Sequence, residues 1–303
     1  MKIRIATRAS PLAILQTKEV IKKIQHHDPA CVCEIIKIES DGDQTDTPLH
    51  MIGGKGLFVS KLEQALSNKV ADIAVHSLKD VPASLDKKFK IAATLPREEV
   101  EDVLLLRDKL NKSDLSTNLK IATSGPRRKA QLLGINSGFN IVPIRGNIQT
   151  RIDKMNTEKL DGLIVAKAAL NRLKISHPNI YIFSEEEMLP AAAQGAIGIE
   201  VIKENIETKT NNLLESINDN LTFEATEIER TVVAALQGNC LSPISALCTI
   251  RDQNVELKVR VSNQKGSEVY DQKEIFTLDN KIQALEDFIE KLISNGAKTL
   301  IQN

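Results

Sequence analysis

Short apolar runs recur along the first two thirds of the chain, each followed by residues with apolar positions at helical spacing. The runs at 2–7, 32–40, 71–77, 90–95, 102–107, 119–123, 141–145, 161–166, 180–183 and 196–202 predict strands. Ser10-Pro11 opens the first helix, with a capping hydroxyl and a proline at the first turn. Residues 58–68 form a second helix, with Val59, Leu62, Ala65 and Leu66 on one face. Residues 127–133 and 147–155 predict two more. Strands alternating with helices imply an α/β fold of parallel sheets covered on both faces.

Near residue 205 the pattern changes. A helix over 223–236 is followed by period-two runs at 255–261, 269–270 and 275–278, then a helix over 282–293. This reads as a separate, smaller α+β module. Residues 40–56 show neither period. A loop of that length within a compact domain is usually a functional lid or a disordered segment, and Gly53, Gly54 and Gly56 favour close approach or hinge motion. No sequence repeat is visible.

The chain of 303 residues is long enough for two or three domains. Its 42% hydrophobic and 26% charged residues are ordinary for a globular protein. Lys+Arg and Asp+Glu both number 40, so there is no basic excess for a nucleic-acid backbone. Aromatics make up 3% with no Trp, too few for base-stacking platforms. No nucleic-acid or membrane partner is expected. The N-terminus has no apolar signal region, so a cytoplasmic setting with reduced thiols is expected. Cys31 and Cys33, near His26 and His27, match no common zinc spacing and read as small core residues, so no metal site is expected.

Against this neutral background six arginines lie just past apolar runs: Arg8, Arg127, Arg128, Arg145, Arg151 and Arg172. Side chains beyond the carboxyl ends of strands converge on one crevice in an open α/β sheet. A guanidinium fork fits carboxylate or phosphate, so the pattern predicts a small ligand with several anionic groups. The run 71–77 ends at Ser77, Lys79 and Asp80 before Pro82 stops it. Asp80 is then an acid among cations, able to steady a developing positive charge or pass a proton; the alternative is a surface ion pair. Cys240, in the turn-rich stretch 236–243, reads either as a nucleophile or cofactor anchor or as an idle thiol. His76, within its strand, reads as a hydrogen-bonded core residue.

Taken in order, these segments resemble the hydroxymethylbilane synthase (porphobilinogen deaminase) family over essentially the full chain. The matches are Ile5 to Ala13, Gly53 to Phe58, Ala71 to Pro82, Thr123-Ser124 with Arg127-Arg128, Arg145 to Arg151, Leu189 to Ala191 with Gln194 to Glu200, and Gly238 to Cys240 with Pro243-Ile244. The resemblance implies an enzyme that joins four porphobilinogen molecules head to tail, loses ammonia, and releases a linear tetrapyrrole. It implies a covalent dipyrromethane cofactor, a primer held by a thioether to Cys240. Asp80 is the implied catalytic carboxylate. Ser77, Lys79, Thr123, Ser124, Arg127, Arg128 and Arg151 are the implied cofactor contacts. Arg8, Ser10, Lys55, Phe58, Arg145, Arg151, Arg172 and Gln194 are the implied substrate contacts.

The implied fold has two domains resembling type II periplasmic binding proteins, 1–96 with 196–214 and 97–195, and a third domain at 215–303. A monomer is implied. Gly125-Pro126, Ala193, Asn239 and the stretch 97–102 depart from the family pattern. Asn239 stands where a glycine is common, and its tolerance of left-handed backbone softens that change. The competing reading is a non-catalytic binding module for a small polyanion, which accounts for the arginines but not for Asp80 or Cys240.

Overall fold

The computed structural model describes residues 1–39, 59–107, 115, 118–204, 206–239 and 241–302. The proposed lid stretch, Lys55, Phe58 and Cys240 lie outside them. All ten strands expected before residue 205 are present, but the sheets they form are mixed rather than purely parallel. The described chain divides into two compact units, residues 1–98 with 195–224 and residues 99–194 with 225–303.

The first unit holds a five-stranded sheet in the order β2-β1-β3-β10-β4. Its strands are β1 (Lys2–Arg8), β2 (Val32–Ile38), β3 (Ile73–Ser77), β4 (Phe89–Thr94) and β10 (Ile197–Ile202). β1 runs parallel to β2 and β3, while β10 is antiparallel to β3 and β4. Alternation sends Ile3 and Ile5 to one face, where they meet Val20 and Ile24 of α1 (Pro11–His27) and Leu214 and Ile217 of α6 (Thr208–Ile217). Ala6 and Ala74 face the other way, onto Leu62, Ala65 and Leu66 of α2 (Ser60–Ser67). Cys31 is part of the first of these cores. Burial and the adjacent Cys31 thiol push the Cys33 thiol up to about 12, as befits small core residues. His76 is buried and its Nε2 lies 2.9 Å from the buried carboxylate of Glu200.

The second unit repeats this topology. Its sheet has the order β7-β6-β8-β5-β9, from β5 (Asp102–Leu106), β6 (Lys120–Ala122), β7 (Asn140–Val142), β8 (Gly162–Ala166) and β9 (Ile180–Ile182). β6 is parallel to β7 and β8, and β5 is antiparallel to β8 and β9. One face packs Leu105, Leu163 and Val165 against Ile152 and Met155 of α4 (Ile148–Thr157) and Leu170 of α5 (Lys167–Leu173). The other packs Leu104, Ile121 and Ile164 against Leu132 of α3 (Pro126–Ile135). Both sheets share one strand arrangement, three parallel strands extended by two more through an antiparallel neighbour.

The repetition reaches single hydrogen bonds. Asp72, just before β3, accepts from the backbone N–H of Arg4 at 2.7 Å. Asp161, just before β8, accepts from the backbone N–H of Lys120 at 2.8 Å. The helices leading into these strands stop alike, with left-handed Lys69 (φ 56°) and Lys159 (φ 52°). The two units share no visible sequence repeat, because shared topology needs only apolar strands in the same order.

A third sheet, β11-β12-β13, lies in the second unit. It comprises β11 (Ile244–Arg251), β12 (Asn254–Ser262) and β13 (Val269–Thr277), all antiparallel. Its core joins Ile228, Val232 and Leu236 near α7 (Asn220–Ala235) to Phe288 and Leu292 of α8 (Lys281–Ser294), with Ala297 of α9 (Ala297–Gln302). Glu229 of α7 is fully buried and accepts the backbone N–H of Ala193 at 2.6 Å and of Cys248 at 2.8 Å. Gly266, in the β12–β13 turn, has φ +67°, and a Cβ there would lie 1.9 Å from the carbonyl oxygen of Ala130 on α3. Only glycine lets this turn rest against the helix.

Among the described residues no helix is long and apolar enough to cross a membrane.

Candidate functional site

In the first unit the functional candidates gather where β1 and β3 end. Arg8 closes β1 and is half-buried. Ser10 caps α1: its Oγ accepts from the backbone N–H of Ala13 at 3.3 Å, and Pro11 follows as the first helical residue. Ser77 closes β3, and its hydroxyl meets the side-chain amide of Gln16 at 2.9 Å. Gln16 is a buried polar residue on α1 that periodicity alone treats as an ordinary helix position. The chain then makes one tight turn over Leu78–Asp80, anchored by Leu78 N–H on the carbonyl of Ala196 at 3.0 Å. Lys79 is half-buried and Asp80 is exposed. Among the described residues no ion pair or hydrogen bond to the Asp80 carboxylate is seen.

In the second unit the same end of the sheet is crowded with cations around one acid. Asp102 is the first residue of β5 and is fully buried, opposite Ala166 at the end of β8. Its Oδ2 accepts from Arg127 Nη2 at 2.5 Å. Its Oδ1 accepts from Arg128 Nε at 2.9 Å and Nη2 at 2.7 Å, and from Gln194 Nε2 at 3.1 Å. Arg127 also donates through Nη1 to the carbonyl of Leu189 at 2.7 Å. Burial pulls the Arg127 guanidinium below its ordinary pKa, and the Asp102 charge opposes that pull. Gln194 donates a second bond to the carbonyl of Val100 at 2.7 Å.

The helices supply the rest. Pro126 starts α3, which places Arg127 and Arg128 in its first turn. Thr123 is buried just past β6, and its Oγ1 accepts from Gly125 N–H at 3.3 Å. Ser124 ties the end of β6 to the chain beyond β7 through the carbonyl of Ile144 at 2.5 Å and its N–H at 2.9 Å. Asn147 caps α4 by accepting from Thr150 N–H at 3.0 Å. That helix carries Arg151, whose Nε donates to the carbonyl of Gly146 at 2.7 Å. Arg145 and Arg172 are half-buried, on the β7–α4 connection and on α5.

Lys167 opens α5 directly after β8 and donates to Glu99 at 2.7 Å. Hydrogen bonds from Lys167 and then Asn171 hold the Glu99 carboxyl below its ordinary range. Asp102, Lys167 and Glu99 were not singled out from sequence. An acid opening the otherwise apolar run Asp102-Val103-Leu104-Leu105-Leu106 was the available signal, since a buried charge requires a partner.

The described structure brings together Thr123, Ser124, Arg127, Arg128 and Gln194 around β6, β8 and Asp102, and separately Arg8, Ser10, Ser77, Lys79 and Asp80 at the ends of β1 and β3. Around position 240 the flanking residues are ordered by Asn239: its Oδ1 accepts from Leu241 N–H at 2.8 Å and its N–H donates to Ser242 at 3.1 Å. The left-handed residue of this turn is Gln237 (φ 55°), not Asn239. Asn239 therefore serves through its side chain, as an Asx turn, rather than through glycine-like backbone. Ala193 does take a left-handed conformation (φ 58°) where the family pattern has glycine. At Gly125 an added Cβ would meet Arg128 Cδ at 3.7 Å and Cγ at 3.9 Å and Thr123 Oγ1 at 3.8 Å, all ordinary contacts, so a Cβ fits there.

The donor set in the second unit, guanidinium forks and hydroxyls beside helix N-termini, is matched to carboxylates. Known proteins resemble the chain over most of its length. Residues 3–210 match the model "Porphobilinogen deaminase, dipyromethane cofactor binding domain", and residues 223–287 match "Porphobilinogen deaminase, C-terminal domain". A porphobilinogen deaminase of Clostridium novyi is 39% identical, covering 89% of this chain and 91% of that protein. One from Halalkalibacterium halodurans is 36% identical over 99% of this chain and 96% of its own length. A third, from Listeria welshimeri, is 38% identical over 99% of this chain and 97% of its own. With one family model spanning the two five-stranded sheets and a second spanning the three-stranded sheet, the chain belongs to the porphobilinogen deaminase family.

Proposed function

We propose that the chain is a hydroxymethylbilane synthase that joins four porphobilinogen molecules head to tail with loss of ammonia and releases the linear tetrapyrrole by hydrolysis. The observation that carries the reading is the unequal chemistry of two like strand ends: an exposed acid, without an ion pair among the described residues, on one and a braced arginine cluster on the other. The dipyrromethane, bound through Cys240, supplies the pyrrole carbon to which the first substrate is joined.

Asp80 accepts hydrogen bonds from pyrrole N–H groups and steadies the positive charge that develops as ammonia departs. A fixed carboxylate does this without reorganising, and such a group typically contributes about 100- to 1,000-fold in rate. Arg128, Arg151, Lys79, Ser77 and Thr123 hold cofactor carboxylates. Arg8, Arg145 and Arg172 hold the acetate and propionate groups of the substrate, with Lys55 and Phe58 on or beside the lid stretch. Ser124 and Arg127 join them at the cofactor, and Ser10 and Gln194 at the substrate, each also bonded to a neighbouring protein group that fixes its direction.

Residues 215–303 act as a third domain, the one that carries Cys240, and its residues 225–303 fall in the second unit. The enzyme works as a cytoplasmic monomer and binds no nucleic acid, in keeping with its zero net charge and 3% aromatic content.

The test is turnover: purified protein is incubated with porphobilinogen and assayed for released ammonia and hydroxymethylbilane. The expected result is four ammonias per tetrapyrrole. Binding of porphobilinogen with no ammonia released would favour a binding module instead.

A further inference from the structure

Two adjacent guanidinium groups in a mostly buried setting repel each other and each must lose water. Arg127 and Arg128 have side chains only 9% and 13% exposed, and the buried carboxylate of Asp102 lies between them. Its Oδ2 accepts from Arg127, and its Oδ1 accepts two bonds from Arg128 and one from Gln194. Turning this carboxylate would break several charge-assisted bonds at once.

Asp102 also occupies one particular side of Arg128. It uses Nε and one Nη2 hydrogen, while Nη1 reaches the carbonyl of Ile164 at 3.4 Å. The remaining donors are one hydrogen on Nη1 and one on Nη2, the end-on fork suited to a two-point grip on a carboxylate. We infer that Asp102 is a positioning residue: it locks the Arg127–Arg128 pair in one direction and so decides which edge of Arg128 is offered to the cofactor carboxylates. The inference rests on the proposed synthase reading, and Asp102 itself touches no ligand.

The test follows cofactor loading rather than turnover. Full-length apo-protein, made in cells unable to synthesise porphobilinogen, is incubated with porphobilinogen and its denatured mass is followed in time. Four proteins are compared: wild type, Asp102→Asn, Arg128→Leu, and the double variant. Thermal melts establish which are folded.

The expected result is that Asp102→Asn loads at least ten-fold more slowly than wild type, and that adding it to Arg128→Leu slows loading no further. Additive slowing in the double variant would mean that Asp102 acts on the fold at large and would overturn the inference. Should the Asn variant fail to fold, Asp102→Glu keeps the charge but shifts it by one methylene, and slowed loading in a folded Glu variant is the expected outcome. Wild-type loading rates in a folded Asn or Glu variant would also overturn it. Failure of wild type itself to gain mass would strike at the synthase reading instead.

Discussion

The two five-stranded sheets are built alike and finished differently. Each sets one strand between two parallel partners, β1 between β2 and β3 or β6 between β7 and β8, and continues through an antiparallel strand, β10 or β5. At the amino ends of the parallel strands both carry an aspartate, Asp72 or Asp161, bonded to the backbone of β1 or β6 and to an arginine. At the carboxyl ends they part. The first sheet leaves Asp80 exposed, while the second buries Asp102 under two arginines. Duplicated architecture thus fixes the scaffold at one end and leaves the other open to opposite chemistries. An acid has a different job at each of these places: strand clamp, buried brace, or exposed charge.

The largest expected effect comes from removing the exposed acid. Asp80→Ala should lower the turnover number about 100- to 1,000-fold while cofactor loading and the circular dichroism spectrum stay as in wild type. Equal turnover would erase the functional difference between the two strand ends.

Removing the buried acid outright should also cost stability. Asp102→Ala leaves Arg127 buried without its charge partner, a change that typically costs about 3–5 kcal/mol. Urea unfolding of the apo-protein reads this directly, and a loss below about 1 kcal/mol would show that the brace is dispensable.

The second sheet has a support the first lacks, the β12–β13 turn resting on the arginine helix. Gly266→Ala should destabilise the protein by about 1–3 kcal/mol, because the backbone is left-handed there and the new methyl meets the Ala130 carbonyl. An unchanged urea midpoint would show that the turn moves away freely.

The smallest effect belongs to the amino-end clamp of the first sheet. Burial pushes the Asp72 carboxyl up, but hydrogen bonds from the Arg4 side chain and backbone outweigh it and hold the group below its ordinary value. A depressed carboxyl stabilises the fold above its unfolded pKa, and that contribution is lost as pH falls through the folded one. With Arg4 and Asp72 each about one-third exposed, solvent screening keeps the contribution small. The melting-temperature gap between wild type and Asp72→Asn should therefore close as the pH drops into and below the carboxyl range. A gap that persisted at low pH would assign the effect to packing.

What the sequence reveals follows the same division. The strands were legible because Ile, Val, Leu and Ala runs bounded by helices have no other use in such a chain. Their direction was not: a buried antiparallel strand such as β10 or β5 reads like a parallel one, so the mixed sheets emerged only from pairing. β13 was read as two fragments because Asp271, Gln272, Lys273 and Glu274 interrupt its apolar pattern on an edge strand. The arginines were legible by position, and Asp80 by its place after β3. Asp102 escaped because a single acid at a strand start looks like a boundary until its partners, 25 and 26 residues away, fold onto it.

The central claim, a self-primed synthase built on these two sheets, is tested most directly by the denatured intact mass of the purified protein. The account predicts an excess of two linked pyrrole units over the polypeptide, absent from Cys240→Ser. A bare polypeptide mass that remains bare after incubation with porphobilinogen would contradict it.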